Sequence, residues 1–394
     1  MPTSLKITGQ IGDASWIRRM FEEGARLKQL HGEDNVFDFT LGNPVIEPPP
    51  RLQQVLEQVV LSPRPGMHRY MPNAGHEWVR AAVAAHLSRV HAVRLGAEHV
   101  LMTCGAAGAL NCVLKAILDP GDEVLVLVPF FPEYAFYIDN HGGRMVLVET
   151  DERFGLDVDA VRRAIGPRTR AMIVNSPNNP TGRVYDRPSM EALGDVLRRA
   201  EEEVTGRPLY LLSDEPYRAI VYDAVEVPSI FAMHRHCVLC TSHSKDLGLA
   251  GERIGYAAIN PAHLGADKLF GALAFANRIL GYVNAPALMQ LVVAELQEER
   301  IDPLLYRRRR DMFVQGLGEA GWPVEAPQGA FYLFPATPIP DDLAFANRLK
   351  EKNVLVVPGR GFGRPGHVRI CYCVPEEVIA RSLTSFRAAL QELS

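Results

Sequence analysis

Ser242–Gly255, SHSKDLGLAGERIG, sets a lysine and an arginine eight residues apart across a glycine-rich stretch. An amine attacks a carbonyl only when neutral, so a working Lys245 needs burial or a nearby cation to lower its pKa. Arg253 offers a planar fork suited to an oxyanion such as phosphate, and Gly248 and Gly251 permit a tight loop between the two. Taken alone, the segment reads equally well as a surface lysine in a flexible loop. Three further segments change that reading: Ser176–Gly182 (SPNNPTG), Ser213–Tyr217 (SDEPY) and Val368–Cys371 (VRIC). Asp214 closes the apolar run LYLLSD, and the C-terminal ends of strands are where open α/β sheets place ligand contacts. As isolated residues, Asp214 would be a cap and Asn179 a turn residue before Pro180.

The rest of the chain alternates strands and helices. Apolar runs at His99–Met102, Glu123–Val128, Arg144–Val148, Ala171–Val174, Leu209–Leu212, Val238–Thr241 and Ile254–Ile259 are nearly continuous in Val, Ile and Leu. Such runs suit strands buried on both faces of a helix-covered, mostly parallel sheet. The spacing predicts helices over Asp13–His31 (capped by Asp13 or Ser15), Arg51–Leu61, Gly75–His91, Ala107–Leu118, Ala285–Glu299 and Pro303–Ala320, with a last one from Pro375. Gly42–Pro50 is too proline-rich for a helix interior. The expected division is a large α/β domain over residues 51–284 and a smaller α/β domain from residues 1–50 and 285–394.

Other segments carry possible ligand groups. TCGAAGAL (Thr103–Leu110) opens a helix whose backbone N–H groups could cradle a phosphate. VPFFPEY (Val128–Tyr134) carries Phe131, which offers a ring face unless both it and Phe130 are core. Arg369, inside an apolar strand, needs an anionic partner.

In this order the segments resemble the fold-type-I enzymes that depend on pyridoxal 5′-phosphate (PLP), specifically the aspartate-aminotransferase-like class I/II aminotransferases, from about Asp38 to Arg387. The resemblance implies a large, mostly parallel seven-stranded sheet domain and a smaller α/β domain. It implies that Lys245 carries PLP as a Schiff base and then moves the proton, that Asp214 meets the pyridine nitrogen, and that Tyr217 and Asn179 meet O3′. Gly105, Ala106, Ala107 and Arg253 match the phosphate site, although aspartate aminotransferases often carry a hydroxyl residue where Ala107 stands, and Ser242 and Ser244 match positions whose hydroxyls serve the phosphate or the lysine region. Phe131 matches the stacking ring, Tyr70 the tyrosine that reaches a neighbouring subunit's phosphate, and Arg369 and Gly42 the binding of the substrate α-carboxylate. Arg278 lies close to the position from which a second subunit reads a distal carboxylate; in isolation it reads as a helix-end arginine. The implied function is transfer of an amino group from an L-amino acid to a 2-oxo acid by a homodimer with shared active sites. A β-lyase, decarboxylase or oxygen-using oxidase would use the same parts.

Composition agrees with this reading but decides little. With 394 residues, 47% hydrophobic content and a net charge of −4, nothing suggests a nucleic-acid or anionic-membrane partner. A ligand-sensing regulator would need a DNA-binding domain ahead of Gly42. No signal peptide, transmembrane run or metal site is expected, and the location is expected to be cytoplasmic. The C-x-x-C at Cys237–Cys240 reads as free thiols.

Overall fold

The computed structural model describes residues 3–13 and 16–393. Seven strands form the central sheet: β1 (Val100–Thr103), β2 (Glu123–Val128), β3 (Arg144–Glu149), β4 (Thr169–Asn175), β5 (Tyr210–Asp214), β6 (Cys237–Ser242) and β7 (Gly255–Ile259). Their spatial order is β1-β7-β6-β5-β4-β2-β3. β7 runs antiparallel to both its neighbours, and every other pairing is parallel. This is the fold-type-I transferase architecture the sequence implied.

The apolar runs behave as two-sided burial requires. Alternate residues of β5 and β6 enter different cores: Leu212, Val238 and Cys240 pack with the helix Gly105–Ile117, whereas Leu211, Cys237 and Leu239 pack with the helices Glu77–His91 and Arg187–Ala200. Cys237 and Cys240 therefore lie on opposite faces and stay free. β3 departs from the expectation. It is an edge strand: Val146 and Val148 pack into one core and Met145 against the other, while Leu147 is left 48% exposed.

A third, aromatic core gathers residues from both ends of the chain, including Phe39, Phe313, Trp322, Phe345 and Phe386. Phe37–Asp38 pairs in parallel with Val354–Leu355, and Val357–Pro358, Val368–Cys371 and Tyr332–Leu333 form an antiparallel sheet. The Cys371 N–H donates to the Phe39 carbonyl at 2.9 Å, which lays the following segment, Thr40–Asn43, across Arg369.

Two helix expectations differ. The helix expected over Ala285–Glu299 covers only Ala287–Ala294. Beyond it the N–H groups of Glu295, Leu296 and Glu299 bond carbonyls three residues back, and the tighter turns drop Leu296 into the core. The expected Asp13–His31 helix is observed as Leu5–Asp13 and Trp16–His31; Ser15 and the Asp13 side chain, its candidate caps, lie outside the described residues.

Candidate active site

The C-terminal ends of β4, β5 and β6 deliver Asn175, Asp214 and Ser242 to one edge of the sheet, as parallel strands must when their crossovers are helices. There they line a cavity of about 230 Å³ with Ala106, Ala107, Phe131, Asn179, Tyr217, Ser244, Lys245 and Arg253. Ten of the fifteen residues inferred from sequence line it; Gly42, Tyr70, Gly105, Arg278 and Arg369 do not.

Asp214 lies on the floor. It is 6% exposed, and burial raises its carboxyl pKa to about 7, with Glu215 adding to the shift and a hydrogen bond from Tyr134 opposing it. The Tyr134 hydroxyl donates to Oδ2 at 2.5 Å, while Oδ1 is buried with no partner. Asn175 staples the floor to the wall: its Nδ2 donates to the Asp214 carbonyl at 2.8 Å and its Oδ1 accepts the Asn179 N–H at 2.7 Å.

Lys245 follows β6 in a short turn and points its ammonium at the Gly42 carbonyl, 2.6 Å away. Burial lowers its pKa; the nearby cysteines oppose this and the positive charges of Arg253 and Arg369 reinforce it. An easily neutralised amine in a cavity is what a nucleophile toward a carbonyl requires.

Glycine is required at the opposite wall. Gly105 has φ +75°, and a Cβ there would stand 3.2 Å from Arg253 Nη2. At Gly255 a Cβ would fall 2.9 Å from the Gly105 Cα. The bare backbone lets the helix start at Gly105 approach Arg253, so free N–H groups and a guanidinium share one corner. The buried Ser242 and Ser244 hydroxyls stand beside it. Phe130 is core, whereas Phe131 is half-buried and presents a ring to the cavity.

Arg369 is 2% exposed and adjoins the cavity through its partners rather than lining it. Nη1 donates to Asn179 Oδ1 at 3.0 Å and Nη2 to the Thr40 carbonyl at 2.5 Å. The guanidinium lies between the rings of Tyr332 and Phe362, 4.8 Å from each. Gly42 is needed nearby, because a Cβ there would fall 2.1 Å from the Tyr332 hydroxyl. Tyr217 meets that same hydroxyl at 2.8 Å. Two expected residues stand apart from this chain's cavity: Tyr70, 91% exposed, and Arg278, exposed at the end of the helix Ala266–Ile279.

Comparison with known proteins decides the family. The sequence model described as aminotransferase class I and II matches residues 34–386. This chain belongs to the class I and II aminotransferases. Among curated aminotransferases it is 35% identical, over 89% of its length and 90% of the relative's, to the aspartate/prephenate aminotransferase of Thermus thermophilus. The structure of an amino transferase from Eubacterium rectale superposes with a TM-score of 0.95 at 37% identity, covering 100% of this chain and 99% of that one. The aspartate aminotransferase of T. thermophilus with maleate gives 0.86 at 32% identity, covering 95% and 97%.

The residues present fit the PLP on which this family generally depends. Asp214 Oδ1 is an orphaned buried acceptor suited to a protonated ring nitrogen, and the Gly105 corner is a cradle that a Cβ would fill. Sequence reasoning missed Asn175 and Tyr137, which line the cavity, and Tyr134 and Tyr332, which bond Asp214 and Tyr217. Asn175 ends an apolar strand just as Asp214 does, and that shared position was the available signal.

Proposed function

We propose that this aminotransferase holds PLP on Lys245 and moves the amino group of an L-amino acid to a 2-oxo acid. When bound, PLP supplies an electron sink for the charge left at Cα. Asp214 Oδ1 holds a proton at the ring nitrogen and so keeps that sink strong. Tyr217 and Asn179, which line the same cavity, would hold the ring's hydroxyl oxygen, and Phe131 would offer an aromatic face to the ring. Arg253, Ser242, Ser244 and the N–H groups at Gly105–Ala107 bind the phosphate. Arg369 binds the α-carboxylate as a fork and thereby aims Cα at Lys245. Lys245, whose pKa burial lowers, takes the Cα proton and returns it one position away. The same reading makes the enzyme a cytoplasmic homodimer, with the exposed Tyr70 reaching the second subunit's phosphate. The relatives' printed names favour a dicarboxylic amino acid as donor.

One observation carries the proposal: a lowered-pKa lysine, an orphaned Asp214 oxygen and an arginine-capped glycine cradle line one cavity. Borohydride treatment of the yellow holoenzyme should fix PLP to a peptide containing Lys245. An unmodified Lys245 after reduction, or transamination by Lys245→Ala at the wild-type rate, would overturn it.

A further inference from the structure

We propose that Cys371 and Cys373 form an oxidation site, a dithiol that hydrogen peroxide closes to a disulfide and an added thiol reopens. Positions 369, 371 and 373 recur every second residue, so in extended chain they share one side. Both thiols therefore follow Arg369 on the side facing Lys245. Their sulfurs are 3.1 Å apart, and both residues are fully buried. The cover over them is thin. Cys373 Sγ lies 3.2 Å from the Asn43 carbonyl and 3.7 Å from that of Leu41. Leu41 is itself 43% exposed and Asn43 is exposed, so a single layer of chain separates the sulfurs from water. Lys245 holds the middle of that layer by the Gly42 carbonyl.

The two thiols differ as an attacking and a resolving sulfur should. Burial works against ionisation of Cys371, but the hydrogen bond from Cys373 and the charges of Arg369 and Lys245 outweigh it, leaving the thiol below its usual value. Burial and the neighbouring Cys371 push the Cys373 thiol well up. The Cys371 thiolate attacks one peroxide oxygen; the O–O bond breaks, a sulfenic acid forms, and the departing hydroxide takes up a proton and leaves as water. The Cys373 thiol then attacks the Cys371 sulfur, its proton joins the displaced hydroxide, and a second water leaves. Two thiols lose two electrons and one peroxide gains them. The closed ring draws in the strand two residues from Arg369, so amino-acid binding weakens more than turnover does.

The test treats the holoenzyme with hydrogen peroxide, denatures it, alkylates it and weighs the tryptic peptide Ile370–Arg381. The expected peptide is two hydrogens lighter and unalkylated, and dithiothreitol restores both alkylation sites. In Cys373→Ser, dimedone should trap a sulfenic acid at residue 371; Cys371→Ser should give neither product. A wild-type peptide still alkylated at both cysteines overturns the proposal, and this readout depends neither on the variants folding nor on the role given to Arg369. The activity arm does rest on that role: oxidation should raise KM for the amino acid severalfold, reversibly. An oxidised peptide with unchanged KM would overturn the link to the active site.

Discussion

Asp214 and Arg369 meet the same cavity from two differently built sheets, and they are finished to different degrees. Asp214 ends a parallel strand with one oxygen bonded to Tyr134 and the other open. Burial raises its carboxyl pKa to about 7. Arg369 ends in the opposite condition. Its two terminal nitrogens are engaged and its plane is clamped between two rings, but only by a carbonyl, an amide and π faces. Its hydrogen bonds go to neutral groups, although its charge also reaches the buried Glu133 carboxyl and the Cys371 thiol. One end of the site awaits a positive group and the other a negative one, with Lys245 between. That polarity is prepared before any ligand arrives, which is the economical way to stabilise charge that develops later.

Removing the group between the two ends should have the largest effect. Lys245→Ala is expected to lower transamination by roughly 10⁴-fold or more, because both the covalent anchor and the proton carrier go. Absorbance of the half-reaction with excess amino acid reads this directly. A loss below tenfold would mean that another group moves the proton.

Breaking the acidic end alone should cost less. Asp214→Ala is expected to reduce kcat by roughly 10²–10³-fold, about 3–4 kcal/mol, as loss of a group aimed at developing charge does. Arg369→Ala should instead appear mainly as a raised KM for every amino acid, since the fork binds a carboxylate common to all of them. If the two variants gave the same split between kcat and KM, the contrast between the ends would be wrong.

How far this contrast was legible in the sequence depends on which physical signal each residue carried. Lys245, Arg253, Asp214, Tyr217 and Asn179 lie in short motifs whose order is informative, and the structure brings them to one cavity. The sheet was legible because buried parallel strands read as unbroken apolar runs. Tyr134 and Tyr332 were not legible: each acts through a hydroxyl whose partner lies 80 or 115 residues away, which no local pattern encodes. The Cys371–Cys373 pair was hidden differently. A two-residue spacing is ordinary until the chain is known to be extended there. The helix expected to reach Glu299 failed because periodicity continues past Ala294 while the backbone hydrogen bonds there shift to carbonyls three residues back.

Substrate choice sharpens the basic end. Arg278 is exposed and lies outside this chain's cavity, so a role in reading a second carboxylate requires it to act across the dimer. Under that reading Arg278→Ala should raise KM for aspartate or glutamate roughly tenfold or more, the worth of one charged fork, and leave alanine nearly unchanged. Equal changes for all substrates would leave Arg369 as the only carboxylate site.

The smallest expected effect tests whether the acidic end is tuned rather than merely buried. Without PLP, Asp214 binds its proton more tightly when folded than when unfolded, since its folded pKa is about 7 against an ordinary carboxylate value near 4. The folded state is then favoured at low pH. Its stability should fall as pH rises between about 4 and 7, at a rate set by proton release on unfolding. Tyr134 opposes the upward shift by donating to Oδ2, so Tyr134→Phe should carry Asp214 higher still and extend the falling limb above pH 7. Asp214→Asn should flatten that limb, because the titrating group is gone. In the holoenzyme, where under the proposed function Oδ1 would hold the cofactor's ring nitrogen, Tyr134→Phe should lower kcat only about tenfold, the worth of one hydrogen bond to a charged group. Chemical denaturation of the PLP-free protein across this range, wild type beside both variants, makes the measurement. A wild-type curve that rises from pH 4 to 7 would mean that Asp214 is ionised in the empty site, and its contrast with Arg369 would then lie in charge sign alone.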